Sequence, residues 1–211
     1  MSYLALVGSA FAITTGLASA KAISNITNAD PGVVTATAHG YNNTDEVLLV
    51  TDWEDFNYSI FRVTNKTTDT FELAGYDTSN TTFYPAGSDT GNAYKISGWQ
   101  SLGQILGITP SGGDARYEEL SPFDKRNGVR IAVGFNPSSF EMELGFDDSR
   151  TDQSLLLAAS RAQEKLGFRF TLNGPTYAYG TVSCSSLPIF DRILRRRVSV
   201  SMEGIFTSFT A

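Results

Sequence analysis

Nucleophilic catalysis needs a reactive side chain beside a base. This chain offers one pairing for it: Cys184, its only cysteine, and His39, its only histidine. The two fall in segments of different character, so Cys184 is expected to be a small buried thiol. Adjacent acids occur at Glu118-Glu119 and Asp147-Asp148. Paired-carboxylate chemistry depends on spatial separation, and neighbours in an extended chain point to opposite faces, so both pairs read as solvated loops. Asp52-Trp53-Glu54-Asp55 has oxygen ligands but no spaced loop with a central glycine for Ca²⁺. Gly107-Ile-Thr-Pro-Ser-Gly-Gly113 lacks the Gly-Lys-Ser/Thr ending of a phosphate loop. A lone cysteine and a lone histidine leave no intrachain disulfide and no multi-histidine zinc site. No metal, cofactor or enzymatic activity is expected.

Arg192 and Arg195-Arg196-Arg197 are the sole basic run. Carried into a strand, its side chains diverge, which suits Arg–carboxylate contacts with a neighbouring subunit. Arg195, Arg196 and Arg197 are therefore inter-subunit candidates.

The elements that position these groups are mainly β. Val33–Thr37, Glu46–Val50, Ile60–Val63 and Thr70–Ala74 are short apolar runs separated by Asn- and Thr-rich turns. Gln100–Leu106 alternates as a further strand. Residues 114–128 then read as a long polar loop, and loops of that length usually have a role of their own. Arg130–Val133 and Ser139–Phe146 are strands. In the second, Phe140, Met142 and Leu144 point one way and Ser139, Glu141 and Glu143 the other. One helix is predicted over 152–166, capped by Thr151, with an apolar stripe at Leu155, Ala158, Ala159, Ala162 and Leu166. Strands Phe168–Leu172, Tyr177–Ser183 and Val198–Phe206 follow, with a bulge expected at Gly204.

A Thr/Asn/Asp-rich segment, roughly 24–93, interrupts this pattern. Gly8–Gly16 before it and Ile96–Ile108 after it read as two halves of one hairpin, so the cut ends lie close together at a surface. The segment holds ten acids and two bases, and the remainder of the chain twelve acids and fourteen bases. The formal charge of −6 therefore belongs to the insertion, and the nearly neutral host argues against a dedicated nucleic-acid binder. Five Asn-x-Ser/Thr triplets, at Asn25, Asn42, Asn57, Asn65 and Asn80, read as turn composition. The N-terminus imitates a signal peptide, but its first basic residue, Lys21, follows the apolar run. An apolar arm leading into a first strand is the expectation, and no stretch is long enough to span a bilayer as a helix.

The ordered set of features resembles the major tail tube proteins of long-tailed (siphovirus-type) bacteriophages. It comprises Gly8-x-x-Phe-Ala-Ile13, Trp99-Gln-Ser-Leu-Gly-Gln-Ile105, the Ser111-Gly-Gly-Asp-Ala-Arg-Tyr-Glu-Glu119 loop, the helix opened by Asp152-Gln153, Phe168-Arg-Phe-Thr-Leu172 with Gly180, and a closing run into Gly204. The resemblance covers 1–22 and 97–211. Within 23–96, Gly32–Gly40 and Phe61–Phe71 resemble a small β-barrel module that recurs in phage structural proteins. The resemblance implies a tail-tube-type β-sandwich or barrel with one flanking helix, divided into 1–22 and 97–211, with an inserted β-barrel at 23–96. It implies a virion protein assembled in the host cytoplasm, six copies per ring, and rings stacked into a tube that conducts double-stranded DNA without binding it specifically. Tape measure and terminator proteins are the implied partners; no membrane is.

A lumen must not hold DNA, because each cation on a phosphate adds affinity. Glu141, Glu143, Ser199, Ser201 and Glu203 are the lumen-facing candidates. Arg116, Glu118, Glu119, Asp124, Lys125 and Arg126, with the apolar N-terminal arm, are the inter-ring candidates. The rival reading is a secreted or surface module that binds a carbohydrate or partner through Trp53, Tyr58 and Tyr84.

Overall fold

β-branched and aromatic runs separated by Asn, Asp, Gly and Thr turns build a chain that is mainly strand. The computed structural model describes residues 10–87, 89–121, 123, 126–171 and 174–209. Its elements are β1 (Ala10–Leu17), β2 (Lys21–Ile23), β3 (Asn25–Ile26), β4 (Val33–Thr35), β5 (Glu46–Thr51), a 3-10 turn (Glu54–Phe56), β6 (Ser59–Thr64), β7 (Thr70–Leu73) and β8 (Gly91–Leu102). There follow β9 (Ile105–Ser111), β10 (Ala115–Leu120), β11 (Val129–Phe135), β12 (Ser139–Gly145), α1 (Thr151–Ala162), β13 (Lys165–Thr171), β14 (Pro175–Cys184), β15 (Arg195–Met202) and β16 (Thr207–Ser208).

One antiparallel sheet runs in the order β3-β4-β7-β6-β5-β8-β1-β13-β14-β15-β12-β9. β8 is its hinge. Gly91–Lys95 pair with β5, and Ile96–Leu102 pair with β1. The segments flanking the insertion are thus hydrogen-bonded neighbours. The four strands read in the insertion are present as β4 to β7.

The sheet folds over on itself into a sandwich. Phe140 on β12 meets Phe168 and Phe170 on β13 at ring distances of 5.3 and 5.5 Å. Ile13, Met142, Leu144, Val182, Val198 and Val200 complete this core, and Leu156 and Ala159 of α1 close it. β14 turns the corner by pairing with β13 along 175–181 and with β15 along 180–184. Gly180 sits where both ladders meet; a Cβ there would lie 2.2 Å from the Ser201 carbonyl oxygen. Segment 23–93 has a second core of Trp53, Phe56, Phe61, Phe71, Val34 and Val47. A third cluster of Leu48, Ile60, Ile96, Tyr177, Tyr179 and Phe209 joins insertion to host.

Three expectations are corrected. The strand read over Gln100–Leu106 is two strands, because the chain turns at Gly103-Gln104, where Gln104 has φ +58°. The loop read over 114–128 begins as strand β10, which pairs with β11 from Ala115↔Phe135 to Leu120↔Val129. A hairpin solvated on both faces has no alternation to betray it. Asp124 and Lys125 lie outside the described residues, as do the N-terminal arm before Ala10 and Leu172-Asn173. The helix ends at Ala162, with Gln163 left-handed, and Leu166 belongs to β13. Arg150, not Thr151, is its N-cap; the helix buries the predicted Ala159 together with Asp152, Gln153 and Leu156, while Ala158 and Ala162 are exposed.

Candidate functional site

The alternation of β12 separates a buried face from a bare one. Ser139, Glu141 and Glu143 stand opposite Ser201, Ser199 and Arg197 of β15. On the other side of β12, Ser139 and Glu141 stand opposite Ser111 and Thr109 of β9. Thr181 and Ser183 of β14 extend the row beyond β15. The outer face of this half-sandwich is therefore a ladder of hydroxyls carrying a few charges. Those charges are paired. Arg195 lies 2.9 Å from Glu143, and Arg197 lies 3.8 Å from both Glu141 and Glu143. Lys165 lies 3.3 Å from Glu203, which also accepts from the Thr181 hydroxyl at 3.2 Å. Three acids thus face three bases. The acids expected on this face and the arginines expected between subunits share one ladder and neutralise each other. Arg195 has a second partner in Asp191 at 2.6 Å.

Arg196 takes a different course. It points to the opposite side of β15 and is 1% exposed. Its guanidinium donates to Asp148 at 2.7 Å and to Gln153 at 3.1 Å, and it lies over the Phe146 ring. This corrects its reading as an inter-subunit residue, because strand alternation turns the middle arginine inward. Gln153, fully buried, also donates to the Gly145 carbonyl and accepts from the Asp147 backbone N–H. Asp152 beside it accepts from Arg150 and from the Gly103 N–H, tying the helix start to the β8–β9 turn. Burial pushes the Asp152 carboxyl upward, but these donors outweigh it and hold the pKa below the ordinary value. Sequence reasoning missed this polar cluster because buried polar residues have no periodic signal.

The β10–β11 hairpin projects from the end of the β9–β12 ladder. Gly112 and Gly113, both with φ +78°, make the kink, and Gly112 packs so closely on the Pro137 carbonyl that a Cβ has no room. Arg116, Glu118 and Glu119 stand exposed on β10, and Arg126 is exposed in the connection. Glu119 pairs with Arg130 at 3.1 Å, and Arg130 lies over Tyr117. Leu120, Val129 and Ile131 share the hairpin's other face and are solvent-exposed.

β9 forms the sheet's outer edge; among the described residues it pairs only with β12. Beside it opens an apolar groove of about 590 Å³ walled by Phe11, Leu102, Ile105, Ile108, Phe140 and Phe206. A free strand edge flanked by apolar surface is a template for pairing with another chain.

The residues first considered for chemistry lie apart. His39 is buried in the insertion between Tyr41 and Phe71, with Nδ1 accepting from the Tyr41 N–H. Cys184 is buried at the end of β14, and burial pushes its thiol pKa up while Arg196 draws it partly back. The aromatic residues of the rival reading are in use. Trp53 is buried and donates to the Pro85 carbonyl, Tyr84 packs on Trp53 and Phe56, and Tyr58 stacks on Tyr179 beneath Lys165. That leaves no open platform for a sugar ring among them.

Glu46 of β5 ties segment 23–96 to the rest of the sandwich. It accepts from the Trp99 indole and the Tyr177 hydroxyl and lies 3.3 Å from Arg169. The C-terminal segment returns to the insertion as well, where Thr207 donates to the Ile60 carbonyl and the Ile205 N–H to the Ser59 hydroxyl. Gly204, expected as a bulge, lies in this returning segment against Tyr58 and Ser59.

Compared with known families, residues 51–211 match the family model described as phage tail tube protein, TTP. The match starts inside the insertion. No curated protein matches the chain.

Proposed function

The chain belongs to the phage tail tube protein family, and on that premise we propose that its copies close into six-membered rings, which stack into the tube that conducts double-stranded DNA at ejection. As a family member it is a structural subunit of the virion tail. The observation that carries the finer reading is the free β9 edge beside a polar, charge-neutral ladder. Joining β9 to a neighbour's sheet makes each ladder one segment of a closed barrel wall. Such a contact is head to tail, and rotation closes it into a ring.

In this reading the ladder of Glu141, Glu143, Ser199, Ser201 and Glu203 lines the bore. Each arginine and lysine on it already has a carboxylate partner, so DNA meets no free cation. The insertion, residues 23–96, is a module on the outer surface. About seventy extra residues would block a narrow bore, which supports that placement. Tape measure and terminator proteins meet the lumen and the tube end.

Concentrated pure protein should form hollow filaments of uniform bore under negative stain. A monomer at every concentration and salt would overturn the reading. Glu141→Gln combined with Glu143→Gln unpairs Arg197 and leaves Arg195 with Asp191 alone. Tubes of this variant should retain short DNA duplexes, with log affinity falling against log salt at a slope of about −0.9 per freed cation. Variant tubes that pass DNA as freely as the parent would place the ladder elsewhere.

The exposed hairpin, with Arg116, Glu118, Glu119 and Arg126, is the proposed ring-to-ring contact. Its base is already bridged, since the Gly113 N–H donates to Asn136 and the Asn136 N–H to Asp114. Replacing 115–135 by a two-residue turn should leave a folded protein that no longer elongates into tubes. Unimpaired tube growth would refute the assignment.

A further inference from the structure

β14 and β15 are joined by an exposed segment of unusual composition, Leu187-Pro-Ile-Phe-Asp-Arg-Ile-Leu194. Leu187 is 74% exposed, Phe190 79% and Ile193 64%, and Leu194 is also exposed. A monomer rarely leaves such a cluster bare without a partner. The Asp191–Arg195 ion pair ties the segment to the ladder but leaves these side chains uncovered.

Its position supplies the partner. Ser111, Ser139 and Ser201 mark one end of the β9-β12-β15 ladder, and the hairpin leaves from there. Ile105, Gly145 and Arg195 mark the other end, where the 185–194 connection sits. β12 alone separates the two ends by about 20 Å at the usual rise of a strand. One chain therefore carries an exposed apolar projection at one end of a ladder and an exposed apolar cluster at the opposite end. A subunit that repeats along a line needs two unlike surfaces, each fitting the other on the next copy.

The hairpin suits this role. A two-stranded hairpin is marginal by itself in water, and here Tyr117, Leu120, Val129, Ile131, Val133 and Phe135 are all exposed. Tyr117 faces the other way, under Arg130; at roughly 180 Å² per large side chain, the exposed part of the other five, and that of the 187–194 cluster, is on the order of 450 Å² each. Together they approach the ~1,000 Å² at which an interface becomes specific.

We propose that the 187–194 segment is the seat for the β10–β11 hairpin of a second copy stacked along the strand direction. The proposal rests on the tube-forming reading and adds the receiving surface to it. Phe190 and Ile193 are the anchors.

The test is a chain with Ile131→Cys and Phe190→Cys, assembled and treated with a short bismaleimide; the buried Cys184 stays as it is. The expected product is an open ladder of linked chains running well beyond any ring number. A ladder that stops at the ring number would put the contact inside a ring and overturn the proposal, as would tubes without crosslinks or crosslinks within single chains. Wild-type protein that forms no tubes defeats the parent reading as well, whereas tubes without an open ladder defeat the seat alone. Phe190→Asp with Ile193→Asp gives a second measure. These exposed substitutions should leave the circular dichroism spectrum unchanged and raise the concentration needed for tube growth by about tenfold or more. Growth at the parent concentration would remove the two anchors.

Discussion

Raising the pH from about 10 to about 12 should unfold the insertion and its junction with the host. Tyr41 and Tyr179 have hydroxyl pKa values pushed up to about 12, first by burial and then by nearby Asp45 and Tyr58 respectively. Tyr177 is pushed higher still by burial and by its hydrogen bond to Glu46. Below the ordinary tyrosine value of 10.0 both folded and unfolded chains keep these protons, and the full stability is present. Above it the unfolded chain releases them while the folded one holds them, so stability falls with rising pH. Each tyrosine contributes about 1.4 kcal/mol per pH unit. Three of them remove about 8 kcal/mol by the upper end of that window, within the usual total for a domain. The α1-side core contains no tyrosine, so the lost stability originates in the 23–96 segment and its junction. Tyrosinate absorbance and Trp53 fluorescence should therefore change together. Tyrosines that titrate near their ordinary value while Trp53 keeps its buried spectrum would contradict this.

What could be read in advance follows from what leaves a pattern. Phe140, Met142 and Leu144 alternate with Ser139, Glu141 and Glu143 because one face of β12 is buried and the other is not. The same contrast marked β4 to β7 and the β1–β8 pairing across the insertion. The hairpin was hidden because β10 and β11 are exposed on both faces, which removes alternation. The helix is found where predicted, but its end and buried stripe differ because its alanines offer several overlapping stripes. The one chosen by structure includes Asp152 and Gln153, polar residues held inside by backbone donors and acceptors of the β8–β9 turn and the β12 end. Arg196 needed Asp148 and Gln153, more than forty positions away, to justify its burial. The edge strand and the 187–194 cluster had composition as their only signal. Apolar residues between two strands read as structure until their exposure is known.

Glu46→Leu should cost about 3 kcal/mol and lower the melting temperature by roughly 6–12 °C. Glu46 belongs to the insertion, yet its three side-chain partners, Trp99, Arg169 and Tyr177, belong to the host. Leucine fills much of the same volume but accepts no hydrogen bond. The Tyr177 hydroxyl, buried in the junction, is then left without an acceptor, the costly half of breaking a hydrogen bond. Arg169 is partly exposed and stacks on Trp99, so water can recover some of its share. Tyr177→Phe alone removes the hydroxyl and leaves Glu46 its other two donors, at a cost of about 1 kcal/mol. The double variant should cost less than the sum of the two, because the orphaned hydroxyl is gone, and denaturant titration of all four proteins measures that coupling. Additive effects would mean that Glu46 and Tyr177 act independently. The unfolding traces carry a further distinction. If the insertion were a bead on a tether, Glu46→Leu would leave the host transition where it was. With β8 continuous through both halves and the C-terminal segment returning to Ser59 and Ile60, both should shift together.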